Sequence, residues 1–252
     1  MSTIIRDATL LTMDPADAFA AKQSDLLIEG TRISAIGPQL EAPPDSTVID
    51  GSDKLVMPGL INAHTHSSET FLKGRYENMP LETWMLYAYP LVTAESLPPR
   101  LIYLRSLLLA MQSLRAGVTT LCDDYFDPPG HDLSRLGEAF AAYADAGIRA
   151  NVSSAVINIS MLEALPYARE VFPPDLQDKL SFGPTISARD YIDFCESAIR
   201  EFHGRCGRLG FMINPSAPQR CTPELLVACD DLARRKQVPF HTHALETKVQ
   251  AV

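Results

Sequence analysis

Two histidine pairs carry most of the chemical information in this sequence. In Val56-Met-Pro-Gly-Leu-Ile-Asn-Ala-His-Thr-His66 and in Val238-Pro-Phe-His-Thr-His-Ala-Leu-Glu-Thr247, histidines stand two residues apart inside an apolar run. Residues two apart on a strand project from one face, so His64 and His66 can grip a single ion. Imidazole nitrogen suits zinc, with iron as the second choice, and His243 is expected to add a third nitrogen from a distant strand. Catalytic metal sites keep positions open, so His241 is read as packed or substrate-facing rather than as a ligand. Glu246 follows His243 by three residues and is placed to move protons between activated water and a leaving group. Taken alone, a His-x-His pair is equally a pair of packed or solvated rings, and the surrounding sequence has to decide.

Other residues are read with their plainer alternatives. Asp123 and Asp124 follow an Ala-Gly-Val-Thr-Thr run at a strand end, where they either orient a ligating imidazole or begin a solvated loop. Trp84 is expected to roof a pocket above the metal, with simple core packing as the alternative. His131 lies in a Pro/Gly-rich loop and His203 near a helix end, so surface placement or helix-end capping is expected for both.

The elements that must hold these residues change character near Pro58. Residues 1–57 alternate short β-like runs (Thr3 to Met13, Asp25 to Ile36 with a break at Gly30-Thr31, Ser46 to Asp50) with turns. Residues 58–252 alternate apolar runs with helical periodicity, the pattern of βα units around a parallel sheet. Strands are predicted at Leu60 to His66, Val118 to Asp123, Arg149 to Ile157, Leu209 to Asn214 and Val238 to His243, with a weaker one near Leu180 to Thr185. Helices are predicted at Pro98 to Ala116, Asp132 to Ala146, Ser187 to His203 and Thr222 to Lys236. Ser187 with Asp190 resembles a capping box, and Thr222-Pro223 places a cap before a proline at the first helical position. The fold class is therefore α/β, a partial (β/α)8 TIM-type barrel, with metal ligands at the strand ends where barrel enzymes keep their sites.

Composition restricts the partners. Of 252 residues 46% are hydrophobic, enough for a substantial core, and a formal charge of -9 argues against nucleic acid or an anionic membrane as partner. The start of the chain lacks a basic region followed by an apolar one, and no uncharged run approaches bilayer length, so a cytoplasmic protein with a small-molecule substrate is expected. The five cysteines are odd in number and contain no CxxC pair, which points to incidental thiols.

The combination of Pro58-Gly-Leu-Ile-Asn-Ala-His-Thr-His66, Lys73-Gly74 with Leu81 to Trp84, Ala116-Gly-Val-Thr-Thr120, Pro215-Ser-Ala-Pro-Gln-Arg-Cys-Thr222 and His243-x-x-Glu246 resembles the amidohydrolase superfamily. Within it, the similarity is to the cytosine deaminase-like and triazine hydrolase-like branch that includes the methylthioadenosine and S-adenosylhomocysteine deaminases. The resemblance implies a small β-sandwich built partly from residues 1–57 beside a barrel with one divalent metal. It also implies metal binding by the positions of His64, His66 and His243, proton shuttling by that of Glu246, and release of an amine, ammonia or halide from a heteroaromatic carbon through metal-activated water.

Two departures qualify the resemblance. Thio-nucleoside deaminases commonly carry a ribose-binding glutamate after the proline of the tryptophan segment, whereas Pro90 is followed by Leu91-Val92-Thr93. The family also places a histidine after strand six and an aspartate after strand eight, and the stretch from Pro58 to Val252 is shorter than the roughly 250 residues of a full barrel. The reading is a C-terminal truncation with little or no activity of its own, completed by a missing segment, a second copy in a homo-oligomer or another polypeptide. Cyclic amide hydrolysis is an alternative, disfavoured because the two-metal enzymes use a bridging lysine and Phe211-Met-Ile-Asn214 offers none. A metal-binding fragment or assembly subunit without catalysis is the other.

Overall fold

A computed structural model describes residues 2–89, 96–127, 130–164, 167–181 and 186–248. The chain divides into two compact units, Met1–Leu60 and Ile61–Val252.

The first unit is one sheet. Strands β1 (Ser2–Leu10), β2 (Lys22–Glu29), β3 (Arg32–Gly37) and β4 (Thr47–Asp50) lie in the order β3-β2-β1-β4, and β5 (Leu55–Val56) also pairs with β1. β1 runs antiparallel to β2 and parallel to β4 and β5, and β2 and β3 form a hairpin. Its turn falls at Gly30, where φ is +61°, as the break at Gly30-Thr31 anticipates. Ala8, Leu10 and Leu26 form a small core, and the buried Asp25 carboxylate ties the strands by accepting from Arg6 Nη1 (2.6 Å), Asp7 N (2.8 Å) and Leu40 N (3.1 Å). Among the described residues this unit is a single five-stranded sheet, and the sandwich that the family resemblance implies is built only partly from this segment.

The second unit alternates strands and helices. Its strands are β6 (Leu60–Thr65), β7 (Val118–Asp123), β8 (Arg149–Val152) and β9 (Leu209–Phe211), in that spatial order, with β7, β8 and β9 parallel. Its helices are α1 (Leu81–Ala88), α2 (Pro99–Arg115), α3 (Leu133–Ala146), the short α4 (Met161–Ala164) and α5 (Ala168–Val171), then α6 (Pro174–Ser181), α7 (Ala188–Phe202) and α8 (Pro223–Lys236). Among the described residues the sheet is open and does not close into a barrel. The predicted fifth strand, Val238 to His243, is an extended segment: Phe240 bridges Ile213 in parallel, and His241 N donates to Ile213 O (2.9 Å). Of the weaker strand near Leu180 to Thr185, Leu180 and Ser181 belong to α6 and the rest lies outside the described residues.

Local chemistry sets the helix ends. Asp132 Oδ1 accepts from Ser134 N and Arg135 N to start α3, and Gly147, at φ +77°, ends it in the left-handed region. Ser187 Oγ accepts from Asp190 N (3.0 Å) and donates to Asp190 Oδ2 (2.7 Å), so the capping pair closes through side chains. Between helices and sheet lies a core in which Phe140 of α3 stacks on Phe202 of α7 at 4.5 Å and Leu121, Val152, Phe211 and Leu225 are fully buried. This packing fixes the strand ends from which the candidate site is built. The five cysteines are free thiols, and no described helix is long and apolar enough to cross a membrane.

Candidate metal centre

β6 carries His64 and leads directly into His66, and β7 ends on Asp123 with Asp124 the next residue, Asp124 N donating to Thr65 O (2.8 Å). His243 arrives from the segment beyond β9, its N–H donating to Ser216 O (2.9 Å). The result is a group of His64, His66, Asp124 and His243 whose ligand atoms all lie within 4.8 Å of one another. Of these, the first two histidines and His243 are the residues selected from sequence.

Hydrogen bonding orients the rings. His66 Nδ1 lies 3.0 Å from Asp124 O and His243 Nδ1 lies 2.7 Å from Ser216 O. A carbonyl only accepts, so each Nδ1 is the protonated nitrogen and each Nε2 turns a lone pair inward. Those two Nε2 atoms are 3.3 Å apart, and His64 Nε2 is 3.1 Å from that of His66. Converging lone pairs repel unless a proton or cation lies between them.

Asp124 supplies the negative charge. It is 1% exposed, neither carboxylate oxygen has a hydrogen-bond partner among the described residues, and Oδ2 stands 3.3 Å from His243 Nε2. A buried carboxylate without hydrogen bonds is costly, and three nitrogens and one oxygen are a donor set that zinc-type ions take. The residues therefore fit a divalent ion. Sequence reads Asp124 either as a group that orients a ligating imidazole or as the start of a solvated loop; the structure buries it with its carboxylate among the four donors, a meeting of rings from two other segments that one strand's sequence does not show.

Asp123, one residue earlier, points the other way. It is fully buried, accepts from Ser67 N (2.8 Å) and Tyr143 Oη (2.7 Å), and burial pushes its pKa up despite these donors. His241 lies outside the four-donor group but touches it, with its Nε2 2.8 Å from His64 Nδ1 and the two rings stacked at 5.0 Å. Burial is the main force lowering the pKa of both His64 and His241, reinforced by neighbouring imidazoles.

A small cleft of about 60 Å³, open to solvent, adjoins the cluster. Trp84 and Glu246 both line it, with Trp84 edge-on to Tyr89 at 5.9 Å. The sequence did not single out Glu69, whose carboxylate lines the cleft, accepts from Tyr89 Oη (2.9 Å) and has its pKa raised by burial. It lies three residues beyond His66, spacing that resembles the His243-to-Glu246 interval. The Pro90 to Thr93 departure falls outside the described residues.

His131 is not at the surface as its Pro/Gly-rich context suggested. It is largely enclosed, hydrogen-bonded to Ser154 Oγ (2.8 Å) just beyond β8 and packed against Tyr191 and Phe194 of α7. Burial lowers its pKa to about 4. His203 caps α7, its Nδ1 accepting from Phe211 N (3.2 Å).

Comparison with known proteins defines the class to which this site and fold belong. The Amidohydrolase family profile matches residues 55–250, and the chain belongs to that family. It is 30% identical over 250 residues to the 5-methylthioadenosine/S-adenosylhomocysteine deaminase of Pelotomaculum thermopropionicum, covering 97% of this chain and 49% of the relative. It is 31% identical over 252 residues to the 5'-deoxyadenosine deaminase of Methanosarcina mazei, covering 98% and 50%. The chain thus spans about half the length of the curated relatives it matches. Among solved structures, the atrazine chlorohydrolase of Arthrobacter aurescens TC1 complexed with zinc superposes with a TM-score of 0.78 at 25% identity, over 96% of this chain and 52% of that one.

Proposed function

We propose that the protein is a metal-dependent aminohydrolase-type enzyme, releasing an amine, ammonia or halide from a heteroaromatic carbon, with residues 58–252 as its catalytic unit. The observation that carries this reading is the four-donor cluster of His64, His66, Asp124 and His243 beside a cleft lined by Glu246. The names of the relatives support it, since two are deaminases of adenosine compounds and one structural neighbour is named an atrazine chlorohydrolase. Zinc is the metal of choice, on the donor set and on its presence in that neighbour, and iron is second.

When bound, such an ion supplies Lewis acidity that makes water nucleophilic at neutral pH. The chain's own residues do the remaining work. The carbonyls of Asp124 and Ser216 hold His66 and His243 with Nε2 facing inward. Glu246 Oε2, in the same cleft, moves a proton toward the leaving nitrogen, and Trp84, Met85 and Phe126 offer apolar surface to a flat ring. Cyclic amide hydrolysis ranks second because the β9 end supplies Asn214, buried and donating to Ser153 Oγ (2.9 Å), where a bridging lysine would be needed.

Ammonia release from aminopyrimidines, aminopurine nucleosides and aminotriazines by the zinc-loaded protein tests the reading, with cyclic imides as the contrasting panel. Turnover of an amine that disappears in Glu246→Gln is expected, and its rate also decides whether this chain acts alone or has, as the sequence reading expects, little activity of its own. Ring opening of an imide without ammonia release from any amine would reverse the ranking.

A further inference from the structure

Arg220, within the Pro215-Ser-Ala-Pro-Gln-Arg-Cys-Thr222 motif, is not accounted for by the chemistry above. Its side chain is 14% exposed and lines the cleft that holds Trp84, His243 and Glu246. Its backbone is pinned. Arg220 N donates to Ala217 O (3.0 Å), and Arg220 O accepts from Asn158 N (3.1 Å) and Ile159 N (3.2 Å). Asn158 and Thr222 brace the same turn reciprocally, Thr222 N donating to Asn158 Oδ1 (2.8 Å) and Asn158 Nδ2 to Thr222 Oγ1 (3.0 Å).

The guanidinium on this fixed base is loosely held. Nη1 donates to Ser216 Oγ at 3.3 Å, and Nη2 reaches Met85 Sδ at 3.4 Å and Glu246 Oε2 at 3.5 Å. Charge-assisted hydrogen bonds run to about 2.7–2.9 Å. The protein makes such bonds elsewhere, with Arg135 Nε to Asp127 and Arg6 Nη1 to Asp25 both at 2.6 Å. Of five N–H groups, Nε–H and one on Nη1 find no acceptor among the described residues. A structural arginine this enclosed is expected to close short contacts. This one keeps its hydrogen-bonding capacity turned to a cleft with apolar walls, where a planar carboxylate is the matching acceptor.

We propose that Arg220 determines specificity in this cleft by receiving a carboxylate carried on the heteroaromatic ring, so that acidic aminoheterocycles are selected over neutral ones. The inference rests on the cleft being the substrate site. It concerns a carboxylate on the heteroaromatic ring itself, unlike that of the S-adenosylhomocysteine in a relative's name, which sits on an amino-acid arm away from the ring. Glu246 bears on one edge of the guanidinium through Nη2, and the ligand takes the Nε and Nη1 donors.

The sequence contains one tryptophan, Trp84, and it lines this cleft, so its fluorescence reports occupancy there. The experiment titrates zinc-loaded protein with 4-aminopyrimidine-5-carboxylate and 4-aminopyrimidine-5-carboxamide, following Trp84 emission and heat by calorimetry. The carboxylate is expected to bind about tenfold tighter or better. Arg220→Met should reduce that preference to near unity while leaving carboxamide affinity within about twofold, and Arg220→Lys, which keeps charge but not the fork, should fall between. Far-UV circular dichroism and metal content establish that each variant is folded. Should Arg220→Met not fold, Arg220→Lys and Arg220→Gln make the comparison.

A preference that survives in Arg220→Met but vanishes on chelation belongs to the metal and overturns the proposal. Equal affinities in the unmodified protein also overturn it, while the substrate-site reading stands. Failure of either compound to perturb Trp84 removes both.

Discussion

The Nε2 atoms of His66 and His243 face each other across 3.3 Å, while the Nδ1 of each ring is committed to a backbone carbonyl. This relationship spans 177 residues and joins the two His-x-His segments into one centre. Neither ring can turn its lone pair away without breaking its carbonyl hydrogen bond, so the site is preorganised before an ion arrives. Asp124 completes it with a buried carboxylate that has no hydrogen-bond partner among the described residues.

Asp124→Asn is therefore expected to weaken zinc binding by at least about 100-fold while leaving the fold intact. Asp123→Asn, one residue away, should retain metal affinity in its folded fraction, because its carboxylate serves Ser67 and Tyr143 instead. Competition against a chromophoric chelator separates the two. Equal losses in both variants would mean that the strand end, rather than the Asp124 carboxylate, governs the metal.

The Asp123–Tyr143 contact links β7 to α3 in the interior, both residues being fully buried. Tyr143→Phe removes one donor to a carboxylate that Ser67 N still engages, and an under-satisfied buried acceptor costs about 1–3 kcal/mol. The urea midpoint should fall accordingly, with metal content at saturating zinc unchanged.

How far the sequence revealed these features depends on whether their causes were local. The histidine spacing, the strand-end placement and the caps of α7 and α8 follow from neighbouring residues, and the four predicted helices agree with α2, α3, α7 and α8 to within a residue or two. Asp124 and Arg220 were harder, because their significance is set by what meets them across the fold: rings from β6 and from beyond β9 for the first, Met85 and Glu246 for the second. His131 was misplaced for a related reason. A Pro/Gly-rich context describes the loop's backbone, and Ser154, Tyr191 and Phe194, which enclose the ring, are distant in sequence.

Glu246 tests the division of labour in the cleft. Glu246→Gln keeps size and hydrogen bonding but cannot shuttle a proton, so turnover should drop by about 10²–10⁴-fold with zinc stoichiometry and Trp84 quenching preserved. Loss of metal in this variant would instead place Glu246 among the ligands.

His131 offers a pH test independent of the metal, since it hydrogen-bonds Ser154 and is not among the four donors. Burial lowers its pKa from 6.5 to about 4 in the folded protein. Below pH 6.5 the unfolded chain therefore takes up a proton that the folded chain refuses, and stability must fall as pH drops from about 6.5 to about 4. Above 6.5 both states hold a neutral ring and the residue contributes no pH dependence. The full displacement corresponds to a loss of order 3 kcal/mol, an upper figure because partial opening would hydrate the ring. His131→Gln keeps a polar group near Ser154 without titrating, so its urea midpoint should decline less between pH 7 and pH 4.5 than that of the unmodified protein. Both midpoints are to be measured on zinc-free samples, which removes any contribution from metal release. Parallel declines in the two proteins would show that His131 is hydrated and protonates freely in the fold.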